Sequence, residues 1–472
     1  MRRFLAWKKQ CAVLVMSAAT GIPIAAQTFT IAHSFTGPEG ASPYAGLVQG
    51  LDNNLYGTTT YGGAYGLGNV FKMDPSAKVT SLYDFCAQSN CIDGQYPDST
   101  LVMGPDGAFY GNTQNGGLYN FGSVFKVSTA GVLTTLHSFN ITDGVNPAGS
   151  LLLASDGNFY GTANAAGACM TEGAGCGTIF RISPNGDFAT IYNFCLQTGC
   201  PDGEFPVGGL TEGSDGNFYG TTNAGGNSIC PGGGCGTIYK ITPGGTLTTL
   251  HRFNNTDGAN PTPSLVEIRK GLFYGTTSSG GPNRDGTVFS ITANGFLKTL
   301  HVFDNTAFGP FVLIPGSDGN LYGTTLGGGA LSGGTIFKIT PAGILTTVHS
   351  FVPHFYYYFG GLTQGTNGRF YGTTFSGGSL DDGTIYNLSM GLRPFVKVQP
   401  SVGAAGATVS ILGSDLEGLS RITFNGIPAT SFQIVYPTLV QVLLPPGVTS
   451  GWVEVVVSNH TLRSNVPFYV KP

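Results

Sequence analysis

Charge is scarce in this sequence. Only 10% of its 472 residues are Asp, Glu, Lys or Arg, against roughly 25% in an ordinary soluble protein. With 75 glycines as well, the composition reads as turn-rich β structure rather than helix. No Gly-x-y period accompanies the glycine, which excludes a collagen-like rod. Beyond residue 26 no apolar run is long enough to cross a bilayer as a helix, so no transmembrane segment is expected in the mature chain. Gly-x-Ser-x-Gly, His-Glu-x-x-His and P-loop motifs are missing. With them go the serine-hydrolase elbow, the zincin centre and the phosphate-cradling loop. Disorder is excluded too, because 41% of residues are apolar and 12% aromatic, enough for packed cores.

Four of the 21 basic side chains lie in the first ten residues, MRRFLAWKKQ. The stretch CAVLVMSAATGIPIAA follows, apolar and ending in small residues. Together they predict a secretory leader over residues 1–26, cleaved after Ala26, and hence a secreted, cell-surface or periplasmic protein. Removing those four leaves 17 basic side chains against 25 acidic ones. Such an acidic chain argues against a nucleic-acid partner.

What the sequence has is repetition. NNLYGTT at 53–59 recurs in variants up to NGRFYGTT at 367–374. The tyrosines are Tyr56, Tyr110, Tyr160, Tyr219, Tyr274, Tyr322 and Tyr371, spaced 48 to 59 residues apart. Seven copies near fifty residues is a propeller-scale period. Each copy holds four short apolar segments; in the fourth these are GGLTEG, NFYGTT, GTIYKI and TLTTLHRF. SDG joins the first two and TPGG the last two, both turn signals. Four antiparallel strands make one blade. The seventh copy lacks its outer strand, and QTFTIAHSF after the leader matches the outer-strand pattern LTTLHSF. Residues 28–35 are therefore expected to complete the last blade and close the ring.

After Met390 the pattern changes to alternating apolar stretches broken by Gly, Pro and Asn, as in a small β-sandwich. The expected fold is all-β: a seven-bladed β-propeller of four-stranded blades over residues 27–392, its N-terminal strand closing the last blade, then an Ig-like β-sandwich over 393–472.

The recurring YGTT…GG…GT(V/I)FKI…LTTLHSF resembles the GloVer-type tandem repeat of exported bacterial proteins, over about residues 28–390. The resemblance implies export and often a C-terminal sorting or anchoring signal; this chain ends in FYVKP, without an apolar tail. Kelch repeats would bring a tryptophan to each blade, whereas Trp7 and Trp452 are the only two. The last eighty or so residues are similar to IPT/TIG modules in P-x-x-G-x-x-G-x-x-V-x-I-x-G, ITFNGIPA and VEVVVSN. Such modules serve as spacers and binding units.

Besides Cys11 in the leader, eight cysteines fall in close pairs: Cys86 and Cys91, Cys169 and Cys176, Cys195 and Cys200, Cys230 and Cys235. An even count, close pairing and export predict four disulfides. Cross-pairing among Cys176, Cys195, Cys200 and Cys230 stays open. No histidines accompany the pairs in zinc-ligand spacing, and neither a metal nor a cofactor is expected. Every pair lies between second and third strands or between one blade and the next. A four-strand meander puts both kinds of loop on one face, so that face is expected to bind.

His33, His137, His251, His301 and His349 share one outer-strand position and read as structural. The innermost strands end in Gln49, Met103, Leu153, Glu212, Glu267, Pro315 and Gln364. Glu212 and Glu267, in neighbouring blades, are the candidate catalytic pair; the competing reading is polar groups at a channel mouth. The stretch HFYYYFGG at 354–361 offers Phe355, Tyr356, Tyr357 and Tyr358 to a sugar or peptide, or to packing against a neighbouring module. The leading expectation is a non-catalytic exported binding or scaffolding protein with a carbohydrate or protein partner. The alternatives are a polysaccharide lyase or hydrolase using Glu212 and Glu267, and a structural envelope protein.

Overall fold

The computed structural model describes residues 27–169, 176–226, 230, 234–263, 265–353 and 359–471. The expected leader at 1–26 and the aromatic residues Phe355, Tyr356, Tyr357 and Tyr358 lie outside the described residues.

Each repeat folds as an antiparallel meander. In the third, Val145–Leu153 pairs with Phe159–Ala165, that with Thr178–Ile182, and that with Phe188–Asn193. The repeated letters explain why. Asp156 turns the chain by accepting the N–H of Asn158 at 3.0 Å, while Gly157 takes φ 83°, which a side chain would resist. The other carboxylate oxygen of Asp156 accepts the Tyr160 hydroxyl at 2.8 Å, so the ring enters the core with its polar tip satisfied. Gly161 follows because a Cβ there would lie 2.5 Å from the Phe180 ring on the third strand. Thr162 then donates to the Gly208 carbonyl of the next blade at 3.0 Å. Asp52–Tyr56, Asp106–Tyr110, Asp215–Tyr219 and Asp318–Tyr322 repeat the hydroxyl contact at 2.8 to 3.0 Å.

Blades pack through the same tyrosines. Tyr56 lies on Phe109, Tyr110 on Phe159, Tyr160 on Phe218 and Tyr322 on Phe370, with ring centroids 4.1 to 4.2 Å apart. A backbone bond accompanies the packing. Tyr96, Asn146, Phe205, Asn260 and Gly309, each with φ between 53° and 64°, donate their N–H to Leu67, Phe121, Cys176, Cys235 and Asp285 in the preceding blade. Ser42 does the same to Asp382 at 2.7 Å, which joins the seventh blade to the first.

The N-terminal strand supplies the other closure. Thr28–Ser34 pairs antiparallel with Thr384–Ser389 and completes the seventh sheet. Phe29 stacks on His349 at 3.7 Å. The seven four-stranded sheets form a β-propeller, as the repeats predict.

The C-terminal module is a β-sandwich. One sheet holds Lys397–Gln399, Thr408–Leu412, Leu439–Leu443 and Phe432–Tyr436; the other holds Leu419–Phe424, Ile427–Pro428, Val453–Val457 and His460–Arg463. Val409, Ile411, Ile422, Phe424, Val440 and Val455 fill the space between.

The sandwich sits on the tight-turn face of the propeller. Ser414 accepts Asn53 Nδ2 at 3.1 Å and its hydroxyl meets that of Thr366 at 2.8 Å. Thr438 donates to the Leu51 carbonyl. Leu412 and Leu439 join the cluster that contains Met103, and Lys471 pairs with Glu212 at 2.9 Å.

Candidate functional site

Glu212 and Glu267 belong to a latch between blades. Glu212 accepts the N–H and hydroxyl of Ser155 in the blade before it. Glu267 accepts those of Ser214, at 2.8 and 2.6 Å. Gln364 holds the N–H of Ser317 at 2.8 Å, and Gln49 that of Thr366 at 3.0 Å. Met103 and Leu153, two of the three apolar members of the series, follow blades whose turns carry Leu51 and Pro105 instead of Ser or Thr; the third, Pro315, follows a turn that carries Arg269. At the other six junctions polar meets polar and apolar meets apolar, as buried contacts require. Met103 and Leu153 are where the sandwich docks: with Leu51 and Pro105 they line a recess with Pro400 and Val409. Glu212 and Glu267 are 8% and 7% exposed. Burial lifts the Glu267 carboxyl above its usual range, against the bonds from Ser214 and Gly271.

Three of the five histidines tie outer strands to the loops that follow. His33, His137 and His251 meet Glu39, Asp143 and Asp257 at 3.3, 3.1 and 2.9 Å. Tyr83 and Tyr192 replace them elsewhere, donating to Asp93 and Asp202 at 2.8 and 2.9 Å. Burial lowers the imidazole pKa of His301 and His349.

The opposite face is open. Its four bridges join Cys86 to Cys91, Cys169 to Cys176, Cys195 to Cys200 and Cys230 to Cys235. They brace loop to loop: the Cys91 carbonyl accepts Gly117 N–H at 3.0 Å, and that of Cys200 accepts Gly226 N–H at 2.8 Å. Among the described residues the one grouping of metal-type ligands is Cys195, Cys200 and Glu204, and its two sulfurs are spent on each other.

Two recesses open among these loops. The lateral one, about 580 Å³, is lined by Asn115, Asn120, Asn146 and Asn164 with the rings of Tyr119, Phe121 and Phe205. Among the described residues no charged side chain lines it. Among the described residues the side chains of Asn115, Asn146 and Asn164 make no hydrogen bond, so their amides are free to meet a ligand. The central one, about 620 Å³, occupies the propeller axis, with Tyr44, Asp98, Asn223, Asn260 and Phe311 on its walls. Gln114 Nε2 donates to Asp98 Oδ2 at 2.5 Å, and Asp98 Oδ1 is buried without a partner. Burial pushes this carboxyl up to about 6.

Sequence reasoning missed Asp98 and the asparagines. Asp98 carries a signal, since it follows Pro97 where the residues after Pro43, Pro147, Pro206, Pro261 and Pro310 are Tyr, Ala, Val, Thr and Phe. The asparagines carry none, because three blades contribute to their pocket.

Solved structures with this fold do varied work. One described as a streptogramin B lyase is 15% identical, with a TM-score of 0.53 over 77% of this chain and 97% of its own. A catalytically inactive virginiamycin B lyase from Staphylococcus aureus, with quinupristin, is 13% identical, with a TM-score of 0.52 over 77% and 99%. A fungal alcohol oxidase of the AA5 family, in complex with copper, is 14% identical, with a TM-score of 0.51 over 94% and 99%. At such identities the likeness is one of fold. Among curated proteins none matches the chain in sequence. The repeats match the Gloeobacter/Verrucomicrobia repeat over residues 21–229 and 196–386, and residues 395–470 match the IPT/TIG domain. The chain belongs to the Gloeobacter/Verrucomicrobia repeat family and carries an IPT/TIG domain at its C-terminal end.

Proposed function

We propose that this is an exported, non-catalytic carbohydrate-binding protein that holds its ligand on the long-loop face. The lateral recess carries the reading. Sugar hydroxyls both donate and accept, and an asparagine amide answers both needs without charge. The C–H faces of a sugar pack on rings such as Tyr119, Phe121 and Phe205. The disulfides hold the surrounding loops, which lowers the ordering cost of binding, and their number suits an oxidising compartment. The other face is given over to the IPT/TIG domain.

A glycan array probed with the disulfide-bonded chain 27–472 tests this. Saturable binding that Asn115→Ala with Asn164→Ala removes supports it. An inert array, or binding indifferent to both changes, contradicts it.

A further inference from the structure

Resting on that carbohydrate reading, we propose that the central cavity is a second subsite, which takes a basic sugar unit bearing a protonated amine, with Asp98 as its anionic partner.

The charge of the cavity is the first argument. Among the described residues its walls include Asp98 and no Lys, Arg or His. Tyr44 is the only other titratable side chain among them. Gln114 satisfies one carboxylate oxygen and leaves Oδ1 buried without a donor. A buried acceptor left unmet destabilises a fold, and burial alone raises this carboxyl to about 6. A group so placed is expected where a ligand completes it. An ammonium offers three donors and the compensating charge; a neutral hydroxyl offers one donor and no charge.

A run of rings is the second argument. Phe311 and Tyr44, on the cavity wall, begin an arc that continues through Phe375, Tyr61 and Tyr96 across four blades, with successive ring centroids 6.1, 6.3, 6.3 and 5.5 Å apart. Tyr96 stands two residues before Asp98. Ring faces suit both the C–H surface of a sugar and a cation. Asn223 and Asn260, on the same cavity, add neutral polar contacts.

The test is calorimetric titration of the full chain at pH 7 with a glucosamine oligosaccharide and with its N-acetylated counterpart. The free-amine form should bind at least about tenfold more tightly. Asp98→Asn, which keeps an acceptor for Gln114, should erase that preference while binding at the lateral recess persists. Equal affinity for the two forms, or a preference that survives Asp98→Asn, overturns the proposal and leaves the carbohydrate reading standing. Failure of every glycan to bind overturns both.

Discussion

Tyr219 of the fourth blade lies flat against Phe273 of the fifth, with ring centroids 4.0 Å apart, while its hydroxyl reaches back 2.8 Å to Asp215 of its own turn. One side chain thus fixes a hairpin and a blade junction together. Tyr219→Phe keeps the stack and loses the hydrogen bond to Asp215, at a cost of about 1 kcal/mol. Tyr219→Ala empties the junction and should cost about 3 to 5 kcal/mol. Urea unfolding of the two variants measures the difference.

The latch gives a second expectation. Blades one and seven already use Gln49 and Gln364 where others use Glu, with the same kind of partner. Glu267→Gln should therefore stay within about 1 kcal/mol of the parent and leave ligand binding unchanged. Glu267→Met strands the N–H and hydroxyl of Ser214 and the N–H of Gly271, at roughly 2 to 4 kcal/mol. Adding Ser214→Leu, which copies the Leu51–Met103 pair, should recover part of that loss. Thermal melts of the three variants check it; an activity lost specifically in Glu267→Gln would instead favour catalysis.

Ring closure gives a third. Deleting residues 27–34 removes the partner of Thr384–Ser389 and the Phe29 ring that packs against His349, Phe351 and Tyr386. The bared strand is a template for pairing between chains. Size-exclusion chromatography should show association beyond that of the parent, and a peptide of residues 28–34 added in trans should reverse it.

Much of this architecture was legible beforehand because its determinants are local. Asp-Gly turns, alternating strands and cysteines five or seven residues apart are readable within one repeat. The closing strand was legible because an outer-strand pattern stood alone at one end of the series. The roles of Glu212 and Glu267 were not. Their partners Ser155 and Ser214 lie 57 and 53 residues away, and the register between blades is written in no single repeat. The two recesses were hidden for the same reason: each draws its walls from several blades.

Asp98 gives a fourth expectation, with a definite sign. Its carboxyl titrates near 6 in the folded chain and near 4 when unfolded. The folded state holds the extra proton, so the contribution of this group to stability is greatest below pH 4. It falls as pH rises to 6 and is level above. Asp98→Asn removes this loss. It should stabilise the chain by roughly 2 kcal/mol at pH 7.5 and change little at pH 4. Chemical denaturation at the two pH values reads the difference; a variant no more stable at pH 7.5 than the parent contradicts it.

The most direct test of the central claim is a titration of the tightest glycan from the array into three proteins. These are the parent, the Asn115→Ala and Asn164→Ala double variant of the open face, and Asn53→Ala beneath the IPT/TIG domain. The account predicts at least about a tenfold loss of affinity in the double variant and none in Asn53→Ala. Affinity retained in the double variant, or lost in Asn53→Ala, would contradict it.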